Sequence, residues 1–472
     1  MKNKIWNIIR IISILLNIGL SSYLIKIIND LSIIPNKYFT LGIIILVILN
    51  IVSTVLLIGN KLLTKILGII LSIIIITTST VGIIYSDKID NIFSKAFNNN
   101  KVEITGYGVI VLKNSTFKNI KDLTDKTMGY LSINENNYLD LIDNKIESKM
   151  INYSDVYNLY EDLLNKKIDS IVIDKAYLDL LADEYNDIDE NIKVIYTFEI
   201  KTKLQNDNKI NSLESVNILI SGSDSRADKI AERSRSDVNM IMTINPKTHT
   251  ILLTSIPRDY YVQLHGKTGL KDKLTHAGIY GVNMSKDTLA DLFDIKIDYS
   301  IKVGFKSVEE VVDLIGGIDI NSDITFNSYH IKGWTVKQGI NHFNGKQALA
   351  YSRERYAYVD GDIHRVQNQQ QVLEAIIEKI FKDRSILKKY NQVLESFSDF
   401  YRTDIKEDYI KLIVKDQLTN MSDWNIERQY VVGDGEMLET YSMPGRKLWV
   451  MIPDENSMNS AKNKIKEIYN NN

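Results

Sequence analysis

Long apolar runs dominate the first 85 residues of the chain, with only short polar interruptions between them. The three runs are Ile11–Ile28, Tyr38–Gly59 and Leu62–Tyr85. Each is about long enough for a helix to cross a hydrocarbon layer of roughly 30 Å. A cleaved signal peptide is the alternative, but no small-residue cleavage site follows the first run, and two further runs come directly after it. The pattern therefore predicts a three-helix transmembrane anchor over residues 1–88.

Positive charges near these runs predict which way the anchor faces. Lys2, Lys4 and Arg10 precede the first run, and Lys61 and Lys65 flank the turn between the second and third runs. Short cytoplasmic loops are enriched in lysine and arginine. We therefore expect a multi-pass protein of the cell membrane with a cytoplasmic N-terminus. Three crossings then place the rest of the chain outside the cytoplasm.

After a polar break, short β-rich runs alternate with helical-period segments over residues 98–205. The predicted elements are the strands Gly108–Leu112, Thr127–Leu131 and Ile168–Ile173 and the helices Thr116–Leu123 and Tyr153–Lys166. Strands that alternate with helices indicate a small accessory α/β domain. Its pattern weakly resembles one lobe of an extracytoplasmic solute-binding domain, and a spacer that orients the next domain is the favoured interpretation. A polar linker is predicted at 206–211.

Three buried strands open the segment that follows the linker. They are predicted at Ser215–Ser221, Val238–Ile244 and Thr250–Ile256. Charged residues gather where these strands end: Asp224 follows the first, Asp237 precedes the second and Arg258 follows the third. A hairpin-like connection between the first two strands would bring the two carboxylates together. Strand ends are also where α/β sheets usually bind ligands.

A second charged cluster lies in the sequence GKQALAYSRERYAYVDGDIHRVQNQQQ further along the chain. A short helix is predicted at Gly345–Ala350. Arg353 and Arg355 follow it two residues apart, which puts both guanidinium groups on one face if this segment is extended.

A longer helix is predicted from about Ile363 to Lys382, and Asp362 is placed to cap it. Arg365 and Gln369 stand four residues apart on one face of its first turns. The N-terminus of a helix that carries an arginine attracts phosphate through its dipole and through its charge. The sequence therefore predicts a second group of phosphate ligands here.

Taken together, these aspartates and arginines indicate metal-assisted phosphoryl chemistry. Arginine matches phosphate oxygens in a bidentate manner, and several arginines together suit an anion with more than one charge, such as a diphosphate. Aspartates fit among them if a hard divalent cation such as Mg²⁺ lies between carboxylate and phosphate. The alternative is a set of surface salt bridges, Arg235 with Asp237 and Arg353 with Asp362. The clustering of these residues at the ends of elements disfavours that alternative.

Composition narrows the possible functions further. The chain of 472 residues is 44% hydrophobic and 25% charged, which suits two or three packed domains. A formal net charge of −2 disfavours nucleic acid as a partner, because binding to the phosphate backbone needs a basic face. The chain has no cysteine, which excludes disulfides, thiolate metal sites and cysteine nucleophiles.

Residues 212–383 resemble the LytR-CpsA-Psr family of cell-wall glycopolymer ligases. The resemblance rests on the segments ILISGSDSR, RSDVNMIMTINPKTHTILLTSIPRD, KDKLTHAGIYG, VVDLIGGIDI, GKQALAYSRER and DIHRVQNQQQ, in this order. It implies an α/β fold in which the catalytic domain has an α-β-α arrangement around a mixed central sheet. The anchor and the accessory domain would precede this domain, and a C-terminal extension over 384–472 would follow it.

The resemblance also implies an activity, in a Gram-positive-type envelope. A glycopolymer would pass from a polyprenyl-diphosphate carrier to peptidoglycan through a phosphodiester, with Mg²⁺ or Mn²⁺ held by Asp224 and Asp237. Asp237, Arg258, Arg353 and Arg355 would take part in catalysis. The residues assigned to the diphosphate are Arg226, Arg235, Arg258, Lys273, Arg353, Arg355, Asp362, Arg365 and Gln369. The family's helix motif has a second arginine where this chain has Asn368, so a weaker grip on phosphate is expected.

Two other functions fit the same residues. A pyrophosphatase or phosphatase would act on the same polyprenyl diphosphate with water as the acceptor. A non-enzymatic regulator of the cell envelope, such as a transcriptional attenuator, would bind a ligand outside the cell. No helix-turn-helix motif occurs in the short segments expected in the cytoplasm, which disfavours the regulator.

Overall fold

The computed structural model consists of an N-terminal helical anchor, an accessory α/β domain and a larger α/β domain. This arrangement confirms the predicted fold class. The structure describes residues 2–98, 102–131, 139–143, 145–182, 184–185, 187–203, 212–223, 233–358, 361–382 and 401–471. The predicted linker at 206–211 lies outside these residues.

Three long apolar helices occupy the segment predicted as the anchor: α1 (Lys2–Leu31), α2 (Asn36–Ile58) and α3 (Leu62–Asn98). Each is long and apolar enough to cross a membrane. Asn17 of α1 joins all three helices, because its amide donates to Ser53 Oγ at 3.2 Å and its oxygen accepts from Ser72 Oγ at 2.9 Å. Apolar surface gives no driving force for association between helices in lipid, so buried polar contacts of this kind specify how they pack.

The accessory domain has a five-stranded sheet in the order β3-β2-β4-β1-β5. Its elements are β1 (Val102–Leu112), a 3-10 helix (Ile120–Leu123), β2 (Thr127–Leu131), α4 (Leu139–Asp143), β3 (Lys149–Tyr153), α5 (Val156–Leu164), β4 (Ser170–Asp174), α6 (Ala176–Leu181), α7 (Ile188–Asn191) and β5 (Ile192–Lys203). The helix predicted from Thr116 is reduced to the single turn Ile120–Leu123. Asn119 caps this turn, and Asp125, with a φ of 62°, ends it shortly afterwards.

The larger domain contains a six-stranded mixed sheet in the order β16-β11-β6-β7-β8-β17. Its strands are β6 (Val216–Ser223), β7 (Val238–Asn245), β8 (Thr250–Ile256), β9 (Tyr261–Val262), β10 (Asp272–Lys273), β11 (Tyr299–Gly304), β12 (Ile318–Ser322), β13 (Phe326–Asn327), β14 (Thr335–Val336), β15 (Gly339–Phe343), β16 (Tyr401–Thr403), β17 (Asn425–Tyr430), β18 (Gly433–Thr440) and β19 (Met443–Pro453). Its helices are α8 (Leu274–Ala277), α9 (Val282–Phe293), α10 (Phe305–Leu314), α11 (Gly345–Arg353), α12 (Asp362–Lys382), α13 (Glu407–Asn420) and α14 (Glu455–Asn470).

Helices cover both faces of this sheet, as the α-β-α arrangement requires. On one face, Ile465 of α14 and Phe293 of α9 pack against Leu219 of β6 in one apolar cluster. On the other face, Leu373 of α12 and Tyr409 of α13 pack in a second cluster. Every residue of β6 is buried, as expected for a central strand covered on both sides.

The segment predicted as a C-terminal extension contributes to the same sheet. β16 pairs antiparallel with β11, and β17 pairs parallel with β8. Asn245 at the end of β7 donates to the carbonyl of Ile468 in α14 at 2.8 Å. Residues from 401 onward therefore complete the sheet of the larger domain.

The C-terminal end of α3 packs directly against α13. Lys411 is buried there, and its Nζ lies 2.8 Å from Asp90 and 2.6 Å from Glu407. The ammonium group also lies 5.5 Å from the ring centre of Phe93. Burial alone would lower the pKa of Lys411, but its hydrogen bonds to Asp90 and Glu407 raise that pKa above its usual value. Tyr401 adds a hydrogen bond to the carbonyl of Ala96 at 2.8 Å.

Replacing Lys411 with methionine should weaken this junction, because it leaves the carboxylate of Glu407 without its cation. We expect the melting temperature of the whole chain in detergent micelles to fall by roughly 3–10 °C. Lys415→Met, one turn further along α13, is the matched control and should change it by much less. Equal melting temperatures for the two variants would contradict a stabilising role for the buried ion pair.

Candidate functional site

The pairing of β6, β7 and β8 brings Asp237 and Arg258 side by side. Gly222 of β6 lies opposite Val238 of β7, and Asn239 of β7 lies opposite Ile256 of β8. The backbone N–H of Asp237 donates to the carbonyl of Gly222 at 2.8 Å. Asp237 therefore directly precedes β7 at the end of the sheet where Arg258 follows β8.

Four charged residues form a network at this end of the sheet. Arg258 Nη1 lies 2.7 Å from Asp237 Oδ1, and Arg258 Nε lies 3.6 Å from Asp259 Oδ2. Lys273 Nζ lies 2.5 Å from Asp259 Oδ1. Both carboxylates are buried, whereas the side chain of Arg258 is 28% exposed. The aspartates thus hold two cations at a site that an anion can reach.

Asp259 is a site residue that the sequence did not reveal, and it lies between Arg258 and Lys273. Its position directly after the arginine at a strand end was the available signal. That signal is weak, because an exposed aspartate in a turn has the same appearance in the sequence.

The segment KDKLTHAGIYG packs between the ends of the strands. Ser234 N donates to Gly278 O at 3.1 Å, and Ser236 N donates to Thr275 O at 3.0 Å. Thr275 N in turn donates to Arg258 O at 2.8 Å. This segment therefore links the residues just before Asp237 with the residue that pairs with it.

A fully buried pair of Asp272 and His276 supports this segment. His276 Nδ1 lies 2.7 Å from Asp272 Oδ1. Ser442 donates to the other carboxylate oxygen from its backbone N–H at 3.0 Å and from its hydroxyl. Buried charge needs partners of this kind, so we assign the pair a structural role beneath the site.

Arg353 and Arg355 lie at the end of α11 and just beyond it. Arg353 is the last helical residue, so the extended stretch assumed for YSRER begins only at Glu354. Arg355 Nη2 donates to the hydroxyl of Tyr356 at 2.8 Å, and its guanidinium carbon lies 4.9 Å from that ring centre. Tyr356 therefore holds the guanidinium group of Arg355 just beyond the end of α11.

Arg365 and Gln369 are both half-buried on α12, which begins one residue earlier than predicted, at Asp362. The side chain of Asp362 itself lies outside the described residues. This helix contacts the central sheet through Gln370, whose amide donates to Leu253 O of β8 at 3.3 Å and to Gln429 O of β17 at 2.6 Å.

Asn368 occupies the position of the second arginine in the family's helix motif. It is fully buried, and its Nδ2 donates to Tyr351 O of α11 at 3.3 Å. The amide donor therefore serves the packing of α12 on α11. The weaker phosphate binding expected at this position stays a prediction.

The remaining predicted residues divide into two groups. Arg235 is half-buried in the loop before β7, whereas Asp224 and Arg226 lie outside the described residues. The alternative of surface salt bridges does not account for Asp237, because this carboxylate is buried and pairs with Arg258.

Asp237 and Asp259 offer carboxylate oxygens, the donor type that Mg²⁺ and Mn²⁺ prefer, so the chemistry of the site fits such an ion. Within the described ranges, no three His, Asp or Glu side chains form a ligand group.

Known proteins resemble part of this chain. Residues 179–470 match the LytR_cpsA_psr family. TagU of Enterococcus faecalis is 31% identical over 247 residues, which cover 52% of this chain and 80% of that protein. TagU of Bacillus mycoides is 35% identical, covering 48% of this chain and 72% of that protein. Both are named polyisoprenyl-teichoic acid–peptidoglycan teichoic acid transferase. The crystal structure of B. subtilis TagV has a TM-score of 0.46 and 27% identity, covering 55% of this chain and 98% of that one.

Replacing Gly278 with alanine should disturb the site through the backbone. The added methyl group would collide with the carbonyl oxygen of Ser234 and the backbone nitrogen of Ser236. We expect affinity for a soluble short-chain prenyl diphosphate, measured by calorimetric titration, to fall about tenfold or more. Gly106→Ala is the control, since its methyl group would meet no atom within 4 Å. Unchanged affinity in Gly278→Ala would show that this close approach does not position the site.

Proposed function

The chain belongs to the LytR-CpsA-Psr family, and we propose that it transfers a glycopolymer from a polyprenyl-diphosphate carrier to peptidoglycan. The observation that carries the proposal is the network of Asp237, Arg258, Asp259 and Lys273 at one end of the central sheet. Two cations fixed by buried carboxylates suit a multiply charged phosphate ligand. The names of the TagU relatives describe the same kind of transfer, with teichoic acid as the glycopolymer.

The proposed reaction is a phosphoryl transfer. The hydroxyl oxygen of a peptidoglycan sugar attacks the sugar-proximal phosphorus of the donor and forms a new phosphorus–oxygen bond. The bond from that phosphorus to the bridging oxygen breaks, and polyprenyl phosphate leaves with the electron pair. The hydroxyl proton passes to a carboxylate, for which Asp237 is the candidate. Arg258 and Lys273 offset the negative charge on the phosphate oxygens.

We also propose that Mg²⁺ or Mn²⁺ assists this reaction. Asp237 would hold the ion together with Asp224, the second ligand implied by the family resemblance. A bound divalent ion supplies positive charge to the diphosphate oxygens. Arg258 orients the carboxylate of Asp237 through its 2.7 Å contact and keeps it ionised, which supports its role as a metal ligand.

The anchor supports a location at the outer face of the cell membrane, with the N-terminus in the cytoplasm. The carrier lipid of the proposed donor lies in the membrane, so its diphosphate is available only near the membrane surface. The larger domain packs directly on the end of α3 through Lys411 and Tyr401. This junction would keep the site close to that surface.

Replacing Arg258 with alanine should lower the transfer rate about 10²-fold or more, because it removes a cation from the developing charge. The assay uses the whole chain in detergent micelles with a polyprenyl-diphosphate oligosaccharide, Mg²⁺ and peptidoglycan fragments, and mass spectrometry identifies the products. Arg428→Ala is the matched control, since Arg428 belongs to β17 of the same sheet and pairs with Glu374. It should keep most of the activity.

The products separate the proposed function from its alternatives. A glycan joined to the acceptor through one phosphate supports the transferase. Glycan phosphate that is released without any conjugate supports the hydrolase. An intact donor that stays bound to the protein supports the regulator. A rate unaffected by Arg258→Ala would remove this residue from the site.

Chelation of divalent ions should abolish transfer, and added Mg²⁺ or Mn²⁺ should restore it, because the proposed ligands are carboxylates. The measurement is the transfer rate in excess EDTA and after titration with each ion. In Asp237→Asn, added Mg²⁺ should restore little activity. Full activity in EDTA would contradict the metal requirement.

A further inference from the structure

The accessory domain packs on the segments that build the candidate site. Ile279 of KDKLTHAGIYG and Met443 of β19 are buried within the apolar cluster of the accessory domain, beside Tyr177 and Leu181. Ile279 directly follows Gly278, which accepts the hydrogen bond from Ser234. The accessory domain therefore contacts the back of a segment whose front faces the loop before Asp237.

Arg446 of the β18–β19 hairpin forms ion pairs across this interface. Its Nη2 lies 2.9 Å from Glu161, and its Nη1 lies 2.5 Å from Glu184. Its guanidinium carbon also lies 4.7 Å from the ring centre of Tyr157. An arginine that combines two carboxylates with an aromatic ring fixes the relative orientation of the two domains more firmly than a lone surface ion pair does.

A second contact reaches the loop before Asp237 itself. Asp174, at the end of β4, is 3% exposed, and its Oδ1 accepts from the backbone N–H of Ala176 at 3.0 Å. Its Oδ2 accepts from Arg233 Nη1 at 3.3 Å. Arg233 begins the short segment 233–237, which carries Arg235 and ends at Asp237. A buried carboxylate of the accessory domain thus binds the same segment that presents the proposed metal and phosphate ligands.

The segments of the larger domain that contact the accessory domain also hold the buried pair beneath the site. The hydroxyls of Tyr280 and Ser442 lie 2.9 Å apart, and Ser442 donates to Asp272. Burial raises the pKa of both Tyr177 and Tyr280, so both phenols stay neutral at physiological pH. Ile279 and Met443, which pack against the accessory domain, are therefore the sequence neighbours of Tyr280 and Ser442, which support this buried pair.

We propose that the accessory domain is a positioning element of the catalytic site and acts through Asp174. Asp174 holds Arg233, and Arg233 fixes segment 233–237 so that Asp237 and Arg235 face the diphosphate. A domain that served only as a spacer would not need a buried carboxylate that binds this loop. The inference deepens the proposed function, and its activity readout depends on that function.

The test replaces Asp174 with asparagine in the full chain in detergent micelles. Hydrogen exchange of the backbone amides of residues 234–240 should become faster, because Ser234, Ser236 and Asp237 donate hydrogen bonds that depend on the position of the loop. The KM for the lipid-linked donor should rise about tenfold, while the KM for the peptidoglycan acceptor changes little. Arg233→Gln should have the same effects, and the double variant should be no worse than either single variant.

Asp162→Asn is the matched control. Asp162 belongs to the same domain, and its hydrogen-bond partners Tyr153 and Lys167 do too. It should change neither the exchange rates of 234–240 nor the donor KM. A melting temperature equal to that of the wild type would separate positioning from loss of folding in both accessory-domain variants.

Each outcome decides between the two claims. Unchanged exchange and unchanged donor KM in Asp174→Asn would overturn the positioning role. An inactive wild-type chain would contradict the proposed function, and faster exchange in Asp174→Asn would then still support the positioning role. An equal rise in the KM values for donor and acceptor, with an unchanged melting temperature, would point to a general disturbance of the site. This result would also overturn the positioning role.

Discussion

The antiparallel pairing of β6, β7 and β8 is the constraint on which the candidate site depends. Successive side chains of a strand point to opposite faces, so a slip of one residue would move the whole apolar pattern of a strand to the wrong face. Both faces of β6 are covered, so its register also depends on buried polar partners: Thr243 Oγ1 of β7 donates to Asn217 Oδ1 of β6 at 2.7 Å. With that register, Asp237 and Arg258 lie side by side at one end of the sheet. The buried carboxylate then needs a cation, and Arg258 supplies it.

Local patterns in the sequence were sufficient to predict several elements and the motif segments. β2 and β8 have the predicted bounds, because each is a short β-rich run bounded by polar residues. Contacts between distant segments were not visible in such patterns. Nothing in the sequence of β17 indicates that it pairs with β8. The same limit applies to Asp259 and to Asn368, whose roles depend on partners elsewhere in the chain.

The larger domain is attached on two sides. The buried Lys411 connects it to the third helix of the anchor, and Arg233 and Arg446 connect it to the accessory domain. Each junction contains a buried or half-buried ion pair, which is strongly directional once formed. The first junction therefore fixes the distance of the proposed site from the anchor. The second holds segment 233–237 against the accessory domain. Such preorganisation suits phosphoryl transfer, in which positioning and electrostatics supply most of the rate enhancement.

The most direct test of the proposed function follows each phosphorus atom of the donor. A polyprenyl-diphosphate oligosaccharide with an isotopic label on the sugar-proximal phosphorus, and a second donor labelled on the lipid-proximal phosphorus, would each be incubated with the whole chain, Mg²⁺ and peptidoglycan fragments. If the chain is the proposed transferase, the first label appears in the glycan–peptidoglycan conjugate and the second stays with the lipid. Recovery of the sugar-proximal label only in released glycan phosphate, or of both labels in intact donor, would contradict it.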